Sequence, residues 1–465
     1  MSTRNQGLLV YPATGGLDTT KASTLLEPGQ LVRAENIEYD TSGARKKRLG
    51  TTRYNSTAVT EGGVGVAFTA VADYWRHGTS LSPTQKFVAT AGTQILKDDG
   101  DGAWDQLQSG WGTESSRANI AIAQGFAVFS NSNNDTPRTW NQSAVADLTS
   151  SGNPKFEACV YHLRRLFTIG ETTSTAGGDG NPSRSTFSAA GDITDFTGGD
   201  TGNFIFDEDD GDRLVGISRP FHNRLYYFKG PNGGSIHELT GATASAFARN
   251  KIHSGVPCVS HAGIVTTAND IYWLSRYGIH SLATTVNYGD TEEKFLSRPI
   301  QTTFRGLNYS RLSQAVGFYH LQRNIVGWAV PNGSSTTNDL LLVYNYALGQ
   351  WSTWDFSGFD AAVPVSMLTP STVVPRLYVA GYDGFLRAGD QTTLTDDNGS
   401  AYTARITTPV LGKFGDANEL HEKQYYSVTT FFRPKGDYNA SLTVTVDRRN
   451  QSANVSMAGG ADTLG

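Results

Sequence analysis

The feature that most constrains the fold is a short apolar pattern that returns along the chain. Each copy has a polar residue, then Leu or Ile, then alternating aromatic and aliphatic positions, as in residues 224–228 and 270–274. Short runs of this composition are typical of β-strands, and a repeat of about 40 to 50 residues is typical of β-propeller blades. The mean spacing here is about 48 residues, and the copies centre on Phe87, Phe126, Leu166, Leu225, Ile271, Ile325 and Leu377.

Most copies are followed, after a Gly, Asn or Asp turn, by a second apolar strand, as in residues 235–239 and 341–344. The repeating unit is therefore built on a hairpin. Glycine is abundant at 51 of 465 residues and only 17% of residues are charged, which excludes a coiled coil, a helical repeat and a disordered tail. We predict an all-β fold, a β-propeller of six or seven blades, and keep as the alternative a set of unrelated hairpins in two sandwiches.

The repeat stops at about Ala401, and three longer alternating strands are predicted at residues 403–410, 424–432 and 441–446. Three strands are close to the minimum for independent stability, so this unit requires a partner strand from the N-terminal segment or from another subunit. We predict an N-terminal arm over residues 1–58, the propeller over 59–398, and a small C-terminal β unit over 399–465. The arm and the C-terminal unit together would form a base.

Two segments have helical rather than strand patterns. Leu296, Ile300, Phe304 and Leu307 fall on one face of a helix, and residues 28–34 are compatible with a short helical turn that begins at a proline. The two cysteines, Cys159 and Cys258, lie in apolar runs without metal-binding spacing and are predicted to be buried thiols.

No catalytic, nucleotide-binding or metal-binding motif is recognisable, so we predict neither enzymatic activity nor a cofactor. The acidic clusters at residues 98–101 and 207–212 offer the hard oxygens that Ca²⁺ prefers. Neither has the spaced EF-hand pattern, and solvated turns between strands are the preferred interpretation.

One basic run stands out in a chain whose net charge is −5, namely Arg45, Lys46, Lys47 and Arg48. Such a run can bind an acidic partner surface or nucleic acid phosphates, although a solvated strand leading into the propeller explains it equally simply. The overall negative charge argues against tight, indiscriminate DNA binding, because no general basic field is available to displace counterions from phosphates.

Several short motifs follow one another along the chain in a definite order. The opening pattern is a double glycine at Gly15 and Gly16, a proline turn at residues 28–31, Asn36 before an apolar residue, and a basic run that closes on Gly50. Further motifs lie at residues 211–216, 225–229, 236–241 and 254–258. The opening motifs resemble the start of the tail nozzle (tail hub) proteins of short-tailed bacteriophages, and the later motifs are similar to the propeller core of that family. Leu49 replaces the proline that this family has before the closing glycine.

This resemblance implies a structural protein of the virion tail, assembled in the host cytoplasm and without a membrane anchor. It implies a homohexameric ring below the portal and adaptor of the head-to-tail connector, with a tail needle, fibres or spikes as further partners. Duplex DNA would pass through the ring channel without specific binding. The basic run Arg45–Lys46–Lys47–Arg48 is the predicted docking site for the connector, and the predicted channel-facing acidic loop comprises Asp207, Glu208, Asp209, Asp210 and Asp212.

The main alternative from another class is a glycan-binding or glycan-cleaving propeller, either sialidase-like or a lectin. That class predicts a signal peptide, repeated Asp-box hairpins and clustered catalytic carboxylates or arginines, none of which is recognisable in this sequence. An intracellular propeller scaffold is a third possibility, but it leaves the nozzle-like opening motifs unexplained.

Overall fold

The computed structural model divides the chain into two compact units, Met1–Phe414 and Gly415–Gly465. The residues that it describes are 15–27, 29–40, 44–76, 84–112, 117–131, 135–148, 155–171, 181–283, 294–368, 374–389, 396–409, 438–446 and 449–457.

Among the described residues, six short strands precede the repeats. The second and third form one hairpin and the fifth and sixth another. The predicted helical turn at residues 28–34 is wrong, because Arg33 begins the first strand and Gly29 has the positive φ of a turn. The strands are β1 (Arg33–Glu35), β2 (Ile37–Tyr39), β3 (Arg45–Lys47), β4 (Thr52–Arg53), β5 (Thr60–Glu61) and β6 (Val64–Gly65).

The repeats form seven blades, each an antiparallel sheet, so the predicted β-propeller is confirmed with seven blades. Blade 1 comprises β7 (Phe68–Arg76), β8 (Thr84–Ala91), β9 (Gln94–Asp98) and β10 (Trp104–Gln108). Blade 2 comprises β11 (Ala118–Ala123), β12 (Phe126–Asn131), β13 (Arg138–Trp140) and β14 (Val145–Asp147). Blade 3 comprises β15 (Ala158–His162), β16 (Arg165–Ile169), β17 (Arg184–Phe187) and β18 (Gly202–Ile205). Blade 4 comprises β19 (Arg213–Ile217), β20 (Leu225–Gly230), β21 (Ser235–Thr240) and β22 (Ala248–Ser254).

The last three blades are less uniform. Blade 5 comprises β23 (Ile264–Thr266), β24 (Ile271–Leu274), β25 (Ile279–Ser281) and β26 (Lys294–Phe295). Blade 6 comprises β27 (Val316–His320), β28 (Ile325–Val330), β29 (Leu340–Asn345) and β30 (Gln350–Trp354), and blade 7 begins with β31 (Ala361–Met367), β32 (Arg376–Gly381) and β33 (Leu386–Ala388).

Strands from outside the repeats extend blades 6 and 7. β4 pairs with β33 and supplies the fourth strand of blade 7, so a segment near the N-terminus closes the ring. β1 pairs in parallel with β30 at the edge of blade 6 and also pairs with β34 (Arg405–Thr407). The predicted arm therefore supplies a propeller strand, and it meets the C-terminal segment in one ladder.

The seven sequence repeats correspond to the second strand of each blade. β16, β20, β24 and β28 are buried along their whole length, because a middle strand of a blade packs against both neighbouring blades. A strand buried on both faces has a continuous apolar pattern, so the second strand of each blade is the one that can be recognised in the sequence. Trp328 and Trp351 pack together between blades at a ring distance of 6.3 Å.

The first strands of neighbouring blades contact one another and therefore surround the propeller axis. Since successive strands are antiparallel, their connections alternate between the two ends of the strands. We call the end that carries the turn between the first and second strands of each blade the turn face. The opposite end, which carries the connections between blades, is the linker face.

Helical structure is sparse in the described residues. The predicted helix before blade 6 is present as a 3₁₀ turn, Arg298–Ile300, followed by α1 (Gln301–Arg305), and its predicted apolar positions are buried in one core. Other 3₁₀ turns are Ala244–Ala246, His261–Gly263, Leu312–Gln314 and Leu321–Arg323. None of the helices described here has the length and apolar character needed to cross a bilayer.

In the second unit the described residues form one antiparallel hairpin, β35 (Tyr438–Val446) and β36 (Arg449–Met457). β35 covers the predicted strand at 441–446, whereas the strand predicted at 424–432 lies outside the described residues. Both cysteines are buried free thiols, as predicted.

Candidate functional site

The first three members of the basic run lie on or near the surface. Arg45 donates from its guanidinium to the carbonyls of Gly15 and Gly29, at 2.9 and 2.5 Å. Lys46 is exposed, with its Nζ 3.5 Å from the Glu38 carboxylate, and the Lys47 Nζ lies 3.9 Å from the centre of the Tyr402 ring. Connector docking by these residues stays a prediction, and Lys46 and Lys47 are both exposed.

Arg48, in contrast, is an internal residue. Its guanidinium donates to both carboxylate oxygens of Asp397, at 3.0 and 2.5 Å, and its Nε donates to Asn36 Oδ1 at 3.0 Å. The guanidinium lies between the rings of Tyr402 and Phe356, 3.8 and 4.6 Å from their centres. Both charged partners are almost fully buried, which corrects the prediction of a docking role for Arg48. The buried side chain of Arg48 is therefore not accessible to another protein.

The motif residues of the N-terminal strap, residues 15–53, hold this segment against blade 6. A Cβ at Gly16 would lie 2.9 Å from the Gln350 backbone, so only glycine permits the close approach. Asn36 adopts a left-handed conformation with a φ of 53°, and its side-chain nitrogen donates to Asp355 and to the Thr403 carbonyl. These residues therefore join the strap to the C-terminal segment.

The predicted acidic loop connects blades 3 and 4 on the linker face and encloses a lysine. Lys229 is completely buried, and its Nζ donates to the carbonyls of Phe206 and Asp207 and to the Asp210 carboxylate, at 2.8, 2.7 and 2.6 Å. A buried ammonium with three donated hydrogen bonds is fully satisfied. Asp210 thus serves as the counter-ion of a core lysine.

The other acids of this loop also have local partners. Asp207 accepts from Lys251 at 2.7 Å, and this lysine holds the pKa of the Asp207 carboxyl below its usual range. Asp212 accepts from two backbone amides at 2.6 and 2.7 Å, and Glu208 accepts from Asn181 at 2.5 Å. Asp209 remains exposed. A channel-facing role for the loop stays a prediction, and two of its five carboxylates, Asp207 and Asp210, are paired with lysines.

The other acidic cluster, residues 98–101, forms the turn between β9 and β10. Asp98 Oδ1 accepts from the backbone amides of Gly100, Asp101 and Gly102 at 2.7 to 3.3 Å. Burial raises the pKa of this carboxyl. The carboxylate thus stabilises its own turn. In the part of the chain that the structure describes, no three His, Cys, Asp or Glu side chains are grouped so that they could hold a metal ion.

A polar cluster at the propeller axis has no counterpart in the sequence predictions. Arg117, just before blade 2, donates to the Gln314 carbonyl before blade 6 and, at 3.3 Å, to the Ala362 carbonyl of blade 7. Asn119 of blade 2 lies 3.1 Å from His261, which precedes blade 5. These contacts link non-adjacent blades and therefore cross the axis. The residues are far apart in sequence and form no motif, so no sequence signal marks them.

His261 makes the axial cluster sensitive to pH. Its Nδ1 accepts from the Ile217 amide at 3.4 Å, and burial, with Arg219 nearby, lowers its pKa from 6.5 to about 4. The folded protein keeps this imidazole neutral while the unfolded chain binds a proton below pH 6.5. We therefore expect His261 to reduce stability by about 2 kcal/mol as the pH falls from 7 to 4.5.

Urea denaturation of the wild type and of His261→Gln at pH 7 and 4.5 measures this effect. The variant should lose about 2 kcal/mol less than the wild type over the same pH interval. Equal losses in the two proteins would show that His261 does not titrate in this way.

Comparisons with known proteins find propeller-like shapes at very low identity. The chain matches no protein-family model and no curated protein sequence. Among solved structures it is similar to YCF48 bound to D1 peptide, with 10% identity, a TM-score of 0.41, and coverage of 74% of this chain and 98% of that chain. YCF48 from Cyanidioschyzon merolae gives 10% identity, a TM-score of 0.42, and coverage of 73% and 99%.

A catalytically inactive virginiamycin B lyase from Staphylococcus aureus with quinupristin gives 8% identity, a TM-score of 0.46, and coverage of 72% and 98%. Similarities at this level carry no information about activity or partners.

Proposed function

We propose that the protein is a structural subunit of a phage tail nozzle, which forms a homohexameric ring below the portal and adaptor and conducts DNA during ejection. The observation that carries the proposal is the N-terminal strap. The residues on which the resemblance to nozzle proteins depends, among them Gly16, Asn36 and Arg48, are the residues that attach the strap to blade 6 and to the C-terminal segment. The residues that match the nozzle motifs therefore share one structural role, which is to attach the strap.

The axial cluster adds a second argument. Side chains of Arg117, Asn119 and His261 cross the axis of the propeller, so the subunit itself offers no open passage there. A conduit for duplex DNA must then be formed between subunits, as in a ring. Cyclic rings close through contacts between different surfaces of each subunit, which a rigid seven-bladed body can present.

Cryo-electron microscopy of the tail assembled with adaptor and portal tests the proposal. The expected result is six copies around an axial channel wide enough for duplex DNA, with a neutral to acidic lining. A monomer in the particle, absence of the protein from the virion, or a channel lined by Lys and Arg would overturn it. Strong phosphate contacts would make DNA bind tightly instead of passing.

One observation favours glycan binding as a second candidate function. A cleft of about 290 Å³ lies between residues 56–60 and the outer strands of blade 1, and it is lined by Trp104, Gln94, Gln106 and several hydroxyl-bearing residues. A Trp ring beside neutral hydrogen-bonding groups is suited to a sugar. Glycan-array binding that is lost in Trp104→Ala but retained in a Trp75→Ala control would support this function, and an absence of binding would exclude it.

A further inference from the structure

We propose that the cleft beside Trp104 selects an uncharged sugar and that the bound sugar links the two sides of the propeller's closure. This inference rests on the glycan-binding function given above as the second candidate, and it adds the class of sugar and the effect of binding. The cleft lies between residues 56–60 and the outer strands of blade 1, and every residue that lines it belongs to the described ranges. Its volume of about 290 Å³ is at the lower end of the range for ligand sites, which suits a single sugar ring.

Two contacts hold the walls of the cleft together, one on each side of it. Gln94 of blade 1 donates from its side-chain nitrogen to the Thr60 carbonyl at 2.8 Å. On the other side, a Cβ at Gly102 would lie 2.6 Å from the Tyr54 carbonyl, so only glycine lets the turn of blade 1 approach this closely. The protein itself therefore positions both walls before any ligand binds.

The lining offers hydrogen bonds and apolar surface but no charge. All eleven lining residues are uncharged, and they include two glutamines and three residues with hydroxyl groups. The nearby Asp101 carboxylate accepts from the amide of the lining residue Ala103 at 3.0 Å, and this hydrogen bond lowers the pKa of Asp101. A sialic acid or a uronic acid would therefore find no cation in the lining and an ionised carboxylate beside it.

Three side chains are placed to hold a neutral ring. Trp104 is half-buried and packs against Phe68 with ring centres 5.6 Å apart, which fixes the indole as a surface for a sugar. Gln94 is 7% exposed, and its Oε1 accepts no hydrogen bond from the described residues while its nitrogen is bonded to Thr60. Gln106 is exposed and carries a second amide. Amides donate and accept, as sugar hydroxyls do, so a neutral ring can be satisfied here.

The same lining favours binding without cleavage. Hydrolysis of a glycosidic bond ordinarily needs two carboxyl groups, one as the acid and one as the base or nucleophile. Neither is present among the described residues that line the cleft. We therefore expect the bound sugar to leave unchanged.

The cleft also spans the closure of the ring. Residues 55–59 follow β4 and are held by blade 7, where the Val59 amide donates to the Gly384 carbonyl at 2.9 Å. Asn55 accepts from the Leu386 amide at 2.7 Å. The opposite wall of the cleft belongs to blade 1. A sugar that bonds to both walls therefore adds a link between the last blade and the first, and its binding opposes opening of the closure.

Titration of the full chain followed by saturation-transfer NMR tests the selectivity. The probes are the methyl glycosides of glucose, galactose and N-acetylglucosamine, each paired with the glycoside of its own uronic acid. At least one neutral glycoside should bind at a single site, and its uronic acid should bind at least tenfold more weakly.

Variants of the lining show whether this binding occurs in the cleft. Trp104→Ala should weaken it at least tenfold, and Gln106→Ala should weaken it about threefold, as expected for one lost hydrogen bond. Because Gln106 is exposed, its variant keeps the fold even if loss of the Trp104 indole does not. Trp75→Ala, on the same blade, is the control and should leave binding unchanged.

Hydrogen exchange followed by mass spectrometry tests the link across the closure. With the bound glycoside at a hundred times its Kd, amides of residues 54–59 and 384–388 should exchange up to about a hundredfold more slowly, because opening must first release the sugar. Residues 225–240 of blade 4, on the opposite side of the ring, are the internal control and should be unchanged. Trp104→Ala at the same glycoside concentration controls for effects of the sugar as a solute.

The possible failures are distinguishable. Absence of binding by every neutral glycoside would exclude the glycan-binding function and this inference with it. Equal binding of a neutral glycoside and its uronic acid would overturn the selectivity, while glycan binding would stand. Unchanged exchange at residues 54–59, or equal slowing in blade 4, would overturn the link across the closure, again without excluding glycan binding.

Discussion

Replacing Arg48 by alanine is expected to lower the free energy of unfolding by about 3–5 kcal/mol, because it leaves the Asp397 carboxylate buried without its counter-ion. Asp397 also accepts from Thr51 and from the Ser357 amide, at 3.2 and 3.0 Å, so it cannot turn away toward water without breaking further contacts. Guanidinium denaturation at pH 7 measures the loss.

Lys46→Ala provides the matched control from the same basic run. Lys46 is exposed and interacts with Glu38 at 3.5 Å, so the variant should lose less than about 1 kcal/mol. The double variant Arg48→Met/Asp397→Leu should recover part of the loss, since an apolar pair can replace a buried ion pair. If Arg48→Ala and Lys46→Ala are equally stable, the buried ion pair of Arg48 with Asp397 does not stabilise the fold.

Replacing Lys229 by methionine should lower the free energy of unfolding by about 2–4 kcal/mol, although the two side chains are similar in size. The change leaves the buried carbonyl of Phe206 and the partly buried carbonyl of Asp207 without this donor, and it removes the counter-ion of Asp210. Hydrogen exchange should then increase at the amides of residues 206–212, because the loop closes around the ammonium.

Lys251→Met tests whether any lysine near this loop has the same effect. Lys251 is exposed and pairs with Asp207 at 2.7 Å, so its loss should cost less than about 1 kcal/mol and leave exchange in residues 208–212 unchanged. A loop that stays protected in Lys229→Met would contradict the role assigned to the buried lysine.

The sequence revealed the middle of each blade better than its outer edge. The repeat centred on Leu225 and Ile271 is visible because these strands are apolar on both faces. β22 has the sequence ARNKIHS and is mostly exposed, so no pattern of burial distinguishes it from a loop. β4 has only two residues, and its role depends on a partner near the other end of the chain.

The same reasoning explains the errors at the candidate sites. In the basic run, Lys46 reaches solvent while Arg48 enters the core. Both have long, positively charged side chains, so the sequence does not distinguish them, and only the path of the folded chain does. The acidic loop was located by its composition, but the lysine that neutralises part of it comes from the next blade. The axial cluster depends on contacts between blades 2, 5, 6 and 7, which local sequence patterns cannot reveal.

Closure of the ring by β4 also has a consequence for synthesis. Asn55 contacts Leu386 across 331 positions of sequence, and Arg48 contacts Asp397 across 349. A nascent chain must therefore keep β4 unpaired until almost the whole propeller has left the ribosome, and such distant contacts form slowly. A product that stops before residue 386 keeps an open strand edge, which favours aggregation over assembly. Ring closure therefore comes last in synthesis, although one of its two strands, β4, is made before any blade.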